Sequence, residues 1–136
     1  MAATVMAFAI TTSITTMQRA FLAIDAARGV TYAGQIMQSE LEKMRLLPFT
    51  TVSGYLTAGP SANGVDAPVT IDSSFTSNTY IGTRFTMTRT ATTVSSRSGM
   101  IKVTLTITWK SYDGRSLSRS YLTYYGQNGL YDYYAS

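Results

Sequence analysis

MAATVMAFAITTSITTMQRAFLAIDAARGVTYAGQIMQSELEKMRL (Met1–Leu46) contains no proline, and its first 24 residues carry a single charge, Arg19. The first proline of the chain is Pro48. Leu47 precedes it, and a residue before proline disfavours the α conformation. The stretch therefore predicts one helix ending near Leu46. Gly29 and Gly34 lie inside it, and each weakens a helix by ~1 kcal/mol relative to alanine. They mark a bend or a place of close packing.

The two halves of this helix differ. In the second, Val30, Ala33, Met37, Leu41 and Met44 recur at steps of three and four, forming one apolar stripe. Arg28, Gln35, Gln38, Glu40, Glu42, Lys43 and Arg45 surround it. In the first, Val5, Met6, Phe8, Ile10, Ile14, Met17, Phe21 and Leu22 lie all round the helix, which requires burial on every side. A helix of 46 residues is about 69 Å long. The remaining ninety residues make a head about 30 Å across, enough to cover one side of half the helix. The chain thus divides into a protruding hydrophobic half, residues 1–24, and a head, residues 25–136.

The protruding half needs a bilayer, other copies of the chain, or both in turn. The apolar run Met1–Ile10 is too short to span ~30 Å of hydrocarbon. Thr11, Thr12, Thr15 and Thr16 follow, whose hydroxyls bond back to helix carbonyls and suit lipid or packed helices equally. Ala2, Ala3, Ala7 and Ala9 allow close helix approach. No basic region precedes the apolar stretch and the helix runs on past it, unlike a secretory signal peptide.

The head predicts an α+β fold. Leu47–Ile81, rich in Thr, Ser, Gly, Ala and Asn, reads as a long loop with a short strand at Pro68–Ile71. Arg84–Ala91 alternates Phe85 and Met87 with Thr86 and Thr88. The decisive strand is IKVTLTITWK, with Ile101, Val103, Leu105, Ile107 and Trp109 on one face and Lys102, Thr104, Thr106, Thr108 and Lys110 on the other. Asp113–Gly114 supplies a hairpin turn, and Leu117–Tyr125 returns. The resulting antiparallel meander of three or four strands needs a cover, and the Val30–Met44 stripe matches it in size.

The chain has 136 residues, one ordinary domain, and only 13% of them are charged, about half the usual ~25%. Cysteine and histidine are absent, which excludes disulfides, thiolate zinc sites and Cys or His nucleophile–base pairs. Asp66, Asp72, Asp113 and Asp132 are the candidate acids of an enzyme, but no phosphate loop, nucleophile–base pair or metal cluster accompanies them. Asp66 and Asp72, six apart, do not meet the EF-hand pattern and read as solvated loop residues rather than a calcium site. No catalysis, cofactor, metal or small-molecule substrate is expected.

Charge is uneven. Residues 1–46 sum to +1, 47–81 to −2 and 82–136 to +5. A basic β half could touch nucleic acid or acidic glycans, although spaced Lys and Arg on polar strand faces are the plainer reading. Tyr124, Tyr125, Tyr131, Tyr133 and Tyr134 cluster near the C-terminus, as a seal on the sheet edge or an inter-subunit patch.

One long N-terminal helix, apolar at its front and laid on an antiparallel meander at its back, resembles the type IV pilin and type II secretion pseudopilin superfamily. AGQIMQSELEKMR (Ala33–Arg45) resembles the helix end of minor pilins and pseudopilins, and KVTLTITWKSYDGRSLSRSYLTYY (Lys102–Tyr125) their final hairpin. The family's basic leader and Phe-Thr-Leu-Ile-Glu-Val-like start have no counterpart, and the first acidic residue is Asp25. Such a segment joined to Met1 would complete a ~20-residue apolar span.

The resemblance implies a filament subunit. It waits in the inner membrane, then joins an extracellular or periplasmic helical polymer of itself and similar subunits. Val5, Phe8, Ile10, Ile14, Met17, Phe21 and Leu22 would form the assembly surface. Arg19, buried there, would need a carboxylate, with Asp25 of a neighbour as the candidate pair. Nucleic acid is not required. The alternative is a membrane-anchored extracytoplasmic binding module that uses the basic sheet or the tyrosine tail.

Overall fold

The computed structural model describes residues 2–57 and 66–127. Helix α1, Ala2–Arg45, runs without interruption past both internal glycines and ends before Pro48. Lys43 and Arg45 in its last turn complement the negative helix end. Four antiparallel strands follow, β1 (Ala67–Val69), β2 (Phe85–Thr93), β3 (Met100–Lys110) and β4 (Ser116–Gly126). They lie side by side in chain order. The architecture is α+β, with the C-terminal half of α1 packed on the sheet.

Alternation along β3 places Ile101, Val103, Leu105, Ile107 and Trp109 at 3% exposure or less. Phe85 and Met87 of β2 share that face, in register with Trp109 and Ile107. The buried helix residues are Gly29, Ala33, Ile36, Met37 and Met44. Val30 and Leu41 are half-buried at the flanks. The expected stripe thus turns slightly, with Ile36, absent from it, at its centre and 1% exposed. An apolar stripe on a helix is wide, and its centre is set by the surface it meets.

The expectation that residues 47–81 lack helix is corrected. Among the described residues, three short helices, α2 (Phe49–Gly54), α3 (Ser73–Thr76) and α4 (Thr79–Gly82), sit there. They cover the sheet on either side of α1: Val52 joins Met44, Ile101, Val103 and Leu105, while Ile71 and Ile81 join Ile36, Phe85 and Trp109. Single helical turns have no readable periodicity, and tertiary burial stabilises them. The short strand lies at Ala67–Val69 rather than Pro68–Ile71.

Among the described residues, two charges stand on the α1 side of the sheet: Arg119 of β4, opposite Ile107 and exposed, and Arg89 under cover. Arg89 of β2 follows Phe85 and Met87 in the alternation, and its guanidinium sits 3.4 Å from the Tyr55 ring centroid. Tyr55, just past α2, covers the cation with a π face. The β3–β4 turn is a three-residue loop closed by Ser111 N–H donating to Arg115 O at 2.9 Å. Gly114 takes a positive φ of 82° there, which glycine adopts freely. Asp113 is fully used in this turn, accepting from Arg115 N–H at 3.1 Å and from Arg115 Nε at 2.5 Å.

Candidate functional site: the exposed helix and its junction with the head

Residues 2–24 are exposed on all sides. Val5 is 69% exposed, Phe8 73%, Ile10 57%, Ile14 52%, Met17 63%, Phe21 62% and Leu22 38%. These are the residues that sequence periodicity placed all round the helix. Arg19 is exposed among them. The hydroxyls of the Thr/Ser band turn inward on the helix. Thr11 donates to Ala7 O at 2.7 Å, Thr12 to Phe8 O at 2.6 Å and Ser13 to Ala9 O at 2.9 Å. Thr15 donates to Thr11 O at 3.1 Å and Thr16 to Thr12 O at 2.8 Å. Each hydroxyl proton is thereby satisfied within the helix, so the band can leave water without an orphaned donor.

The change from exposed to seated helix occurs at Asp25. Arg84 holds its carboxylate in a two-pronged grip, at 3.2 Å to Oδ1 and 3.1 Å to Oδ2. Tyr112 N–H adds a donor at 3.1 Å and Ser111 Oγ another at 3.4 Å. Arg84 also donates from Nε to Lys110 O at 3.0 Å. The two side chains are 17% and 12% exposed. One arginine therefore ties the helix to the start of β2 and the end of β3. The fork geometry of guanidinium and carboxylate fixes direction as well as distance.

Asp25 is thus committed to Arg84 of its own chain, where the sequence pointed to Arg19 of a neighbour. Arg84 stands 59 residues from Asp25, and no local pattern relates the two.

One turn further on, Gly29 lies against Trp109. A Cβ there would come within 2.5 Å of the indole Nε1. Trp109 stacks on Phe85 with ring centroids 5.7 Å apart, so the ring cannot retreat without losing that contact. Gly29 is the site of close packing. Gly34 meets nothing within 4 Å and has no such duty.

At the far end of the helix, Tyr125 OH donates to Met44 O at 2.9 Å, satisfying a terminal carbonyl. Tyr124 is 56% exposed, and Tyr131, Tyr133, Tyr134 and Asp132 lie outside the described residues. Lys43 pairs with Asp72. Asp72 also caps α3, accepting from Ser74 N–H at 2.8 Å. The Lys43 hydrogen bond, then the Ser74 donors, hold the Asp72 carboxyl well below the usual range, and Asp72 in turn raises Lys43. Asp66 accepts from Thr90 Oγ1. Asp66 and Asp72 thus have separate partners, and no group of three or more acidic, His or Cys residues gathers among the described residues.

Between the exposed helix and the hairpin tip lies an open groove of about 680 Å³, lined by Gln18, Phe21, Leu22, Asp25, Arg28 and Tyr112 among others. Tyr112 is 78% exposed and lies 5.3 Å from the Arg84 guanidinium. No helix among the described residues is both long and apolar enough to cross a membrane. Comparison of the chain with protein-family models, with curated proteins and with solved structures finds no match.

Proposed function

We propose that this chain is a structural subunit of a type IV pilus-like or type II secretion pseudopilus-like filament. It polymerises through residues 2–24. The observation that carries the reading is the exposure of apolar side chains on every side of half a helix whose other half is firmly seated. Isolated in water, that surface is a standing cost; fully burying each of Phe8, Ile10, Ile14, Phe21 and Leu22 stabilises by ~1.5–3 kcal/mol. Other copies of the same helix supply a matching surface, and Ala2, Ala3, Ala7 and Ala9 let them approach closely.

The internally bonded Thr/Ser band supports a segment that waits in the inner membrane and later packs among helices, because neither environment strands a hydroxyl. The Asp25–Arg84 clamp supports a subunit that transmits load, since it holds helix to head at the point where the helix emerges. Neither catalysis nor a cofactor enters this function.

The test is recovery. Filaments sheared from cells that make the chain should yield its peptides by mass spectrometry, and Phe8→Asp with Ile14→Asp should abolish that recovery while the head stays folded. Absence of the native chain from the filament fraction would refute the reading and favour a membrane-anchored binding module.

A further inference from the structure

The face of the sheet turned away from α1 is rich in hydroxyls, with Leu122 and Tyr124 of β4 exposed beside Thr104 and Lys102. Thr86, Thr108 and Ser118 stand in one cross-strand row, and Thr88, Thr106 and Ser120 in the next. Thr90 and Thr104 begin a third. Lys102 and Lys110 stand at the two ends of the β3 column, about 27 Å apart at ~3.4 Å per residue.

At the Lys110 end the face is hollowed. A cavity of about 350 Å³ opens there, lined by Thr83, Arg84, Thr86, Thr108, Lys110 and Ser116. That volume lies at the lower end of the range of small-molecule sites. Its two cations differ. The Arg84 guanidinium is neutralised by Asp25, whereas Lys110 has no carboxylate partner among the described residues and is exposed. Thr83 Oγ1 donates to Thr79 O at 2.9 Å and Thr86 Oγ1 to Thr108 O at 3.5 Å, so these oxygens face the hollow chiefly as acceptors. Trp109, which also borders it, is only 3% exposed and offers no stacking face.

One cation, several hydroxyl acceptors and no aromatic platform suit a particular chemistry. We infer that the hollow is a subsite for an acidic sugar, a uronate-type residue of a polysaccharide. Lys110 takes the carboxylate, and Thr83, Thr86, Thr108 and Ser116 bond the ring hydroxyls. The rest of the chain runs along the threonine rows toward Lys102, where a second carboxylate meets a second ammonium. Nucleic acid fits worse: it needs closely spaced cations for its phosphates, and Lys102 and Lys110 stand at opposite ends of β3, with the single ring of Tyr124 beside Lys102. This inference does not depend on filament assembly, because the hollow belongs to one head.

The experiment is calorimetric titration of the full chain in detergent micelles with oligogalacturonate, and with a neutral malto-oligosaccharide of the same length. The acidic oligomer should bind at least about ten-fold more tightly and weaken as salt is added. Lys110→Ala should lose about ten-fold in affinity and Lys110→Arg most of it back. Lys102→Ala should weaken only oligomers long enough to reach it. Thr108→Val, which deletes a hydroxyl at similar volume, should weaken binding less than Lys110→Ala. Unfolding midpoints of all variants should match the parent. Equal binding of the neutral oligomer overturns the proposal. So does unchanged binding by folded Lys110→Ala, or displacement of the sugar by single-stranded DNA at lower concentration.

Discussion

Residues 2–24 and 25–45 of α1 belong to one unbroken helix, yet Phe8 is 73% exposed and Ile36 1%. The backbone is the same in both halves, although apolar side chains encircle the first and form one stripe on the second. What differs besides is the partner. The second half has a sheet with a complementary row of Ile101, Val103, Leu105, Ile107 and Trp109; the first has none among the described residues. A helix can thus be built by one set of rules and completed by two, folding in one half and, in the function proposed, assembly in the other. The comparison can be broken by substitutions whose effects should separate the halves.

The largest effect should come from the seated half's floor. Trp109→Ala removes a ring held between Gly29 and Phe85 and should cost about 3–5 kcal/mol, read as a lower unfolding midpoint in urea. Next is Arg84→Met, which leaves the Asp25 carboxylate nearly buried without its cation and should cost about 3 kcal/mol by the same measurement. The paired glycines give a finer contrast. Gly29→Ala should destabilise by about 1–3 kcal/mol because its methyl meets Trp109. Gly34→Ala, in open space, should stabilise by about 0.5–1 kcal/mol through backbone entropy alone. If both alanines act alike, the close-packing account of Gly29 is wrong. In the protruding half, Phe8→Ser and Ile14→Ser should shift head stability by less than about 0.5 kcal/mol while removing the proposed filament assembly.

The smallest effect is electrostatic. Asp72 titrates in the folded chain below its ordinary value of 3.8, so its contribution is present above that value and lost as pH falls through the lower one. Lys43 is raised above 10.5, so its part is present below 10.5 and lost as pH climbs through the raised value. Both groups are substantially exposed, which keeps the gain small. Subtracting the Asp72→Asn melting curve from the parent's should leave a difference that fades on acidification below about pH 4; a difference that persists at the lowest pH would assign it to the α3 cap instead.

Much of this molecule is readable one element at a time. The α1 boundaries, the β3 alternation and the turn near Gly114 rest on patterns within a few residues: proline placement, period-two burial and a residue tolerant of positive φ. The two-natured helix belongs with them, since all-round and one-sided apolar patterns are visible before any partner is known. The short helices of residues 49–82 were not legible, because segments of four to six residues carry too few positions for a period and owe their shape to the core they cover. Arg89 was equally hidden, since the Tyr55 ring that covers it comes from a distant part of the sequence.

By itself, then, the sequence determined a long helix, a meander and an apolar surface larger than one head can cover, because periodicity and local backbone preference act over neighbouring residues. Only the tertiary structure decided which arginine clamps Asp25, which glycine must stay bare beneath Trp109, and where the hydroxyl face is hollowed beside Lys110. Those depend on pairs from 26 to more than 80 residues apart, whose meeting is fixed by how the helix lies on the sheet.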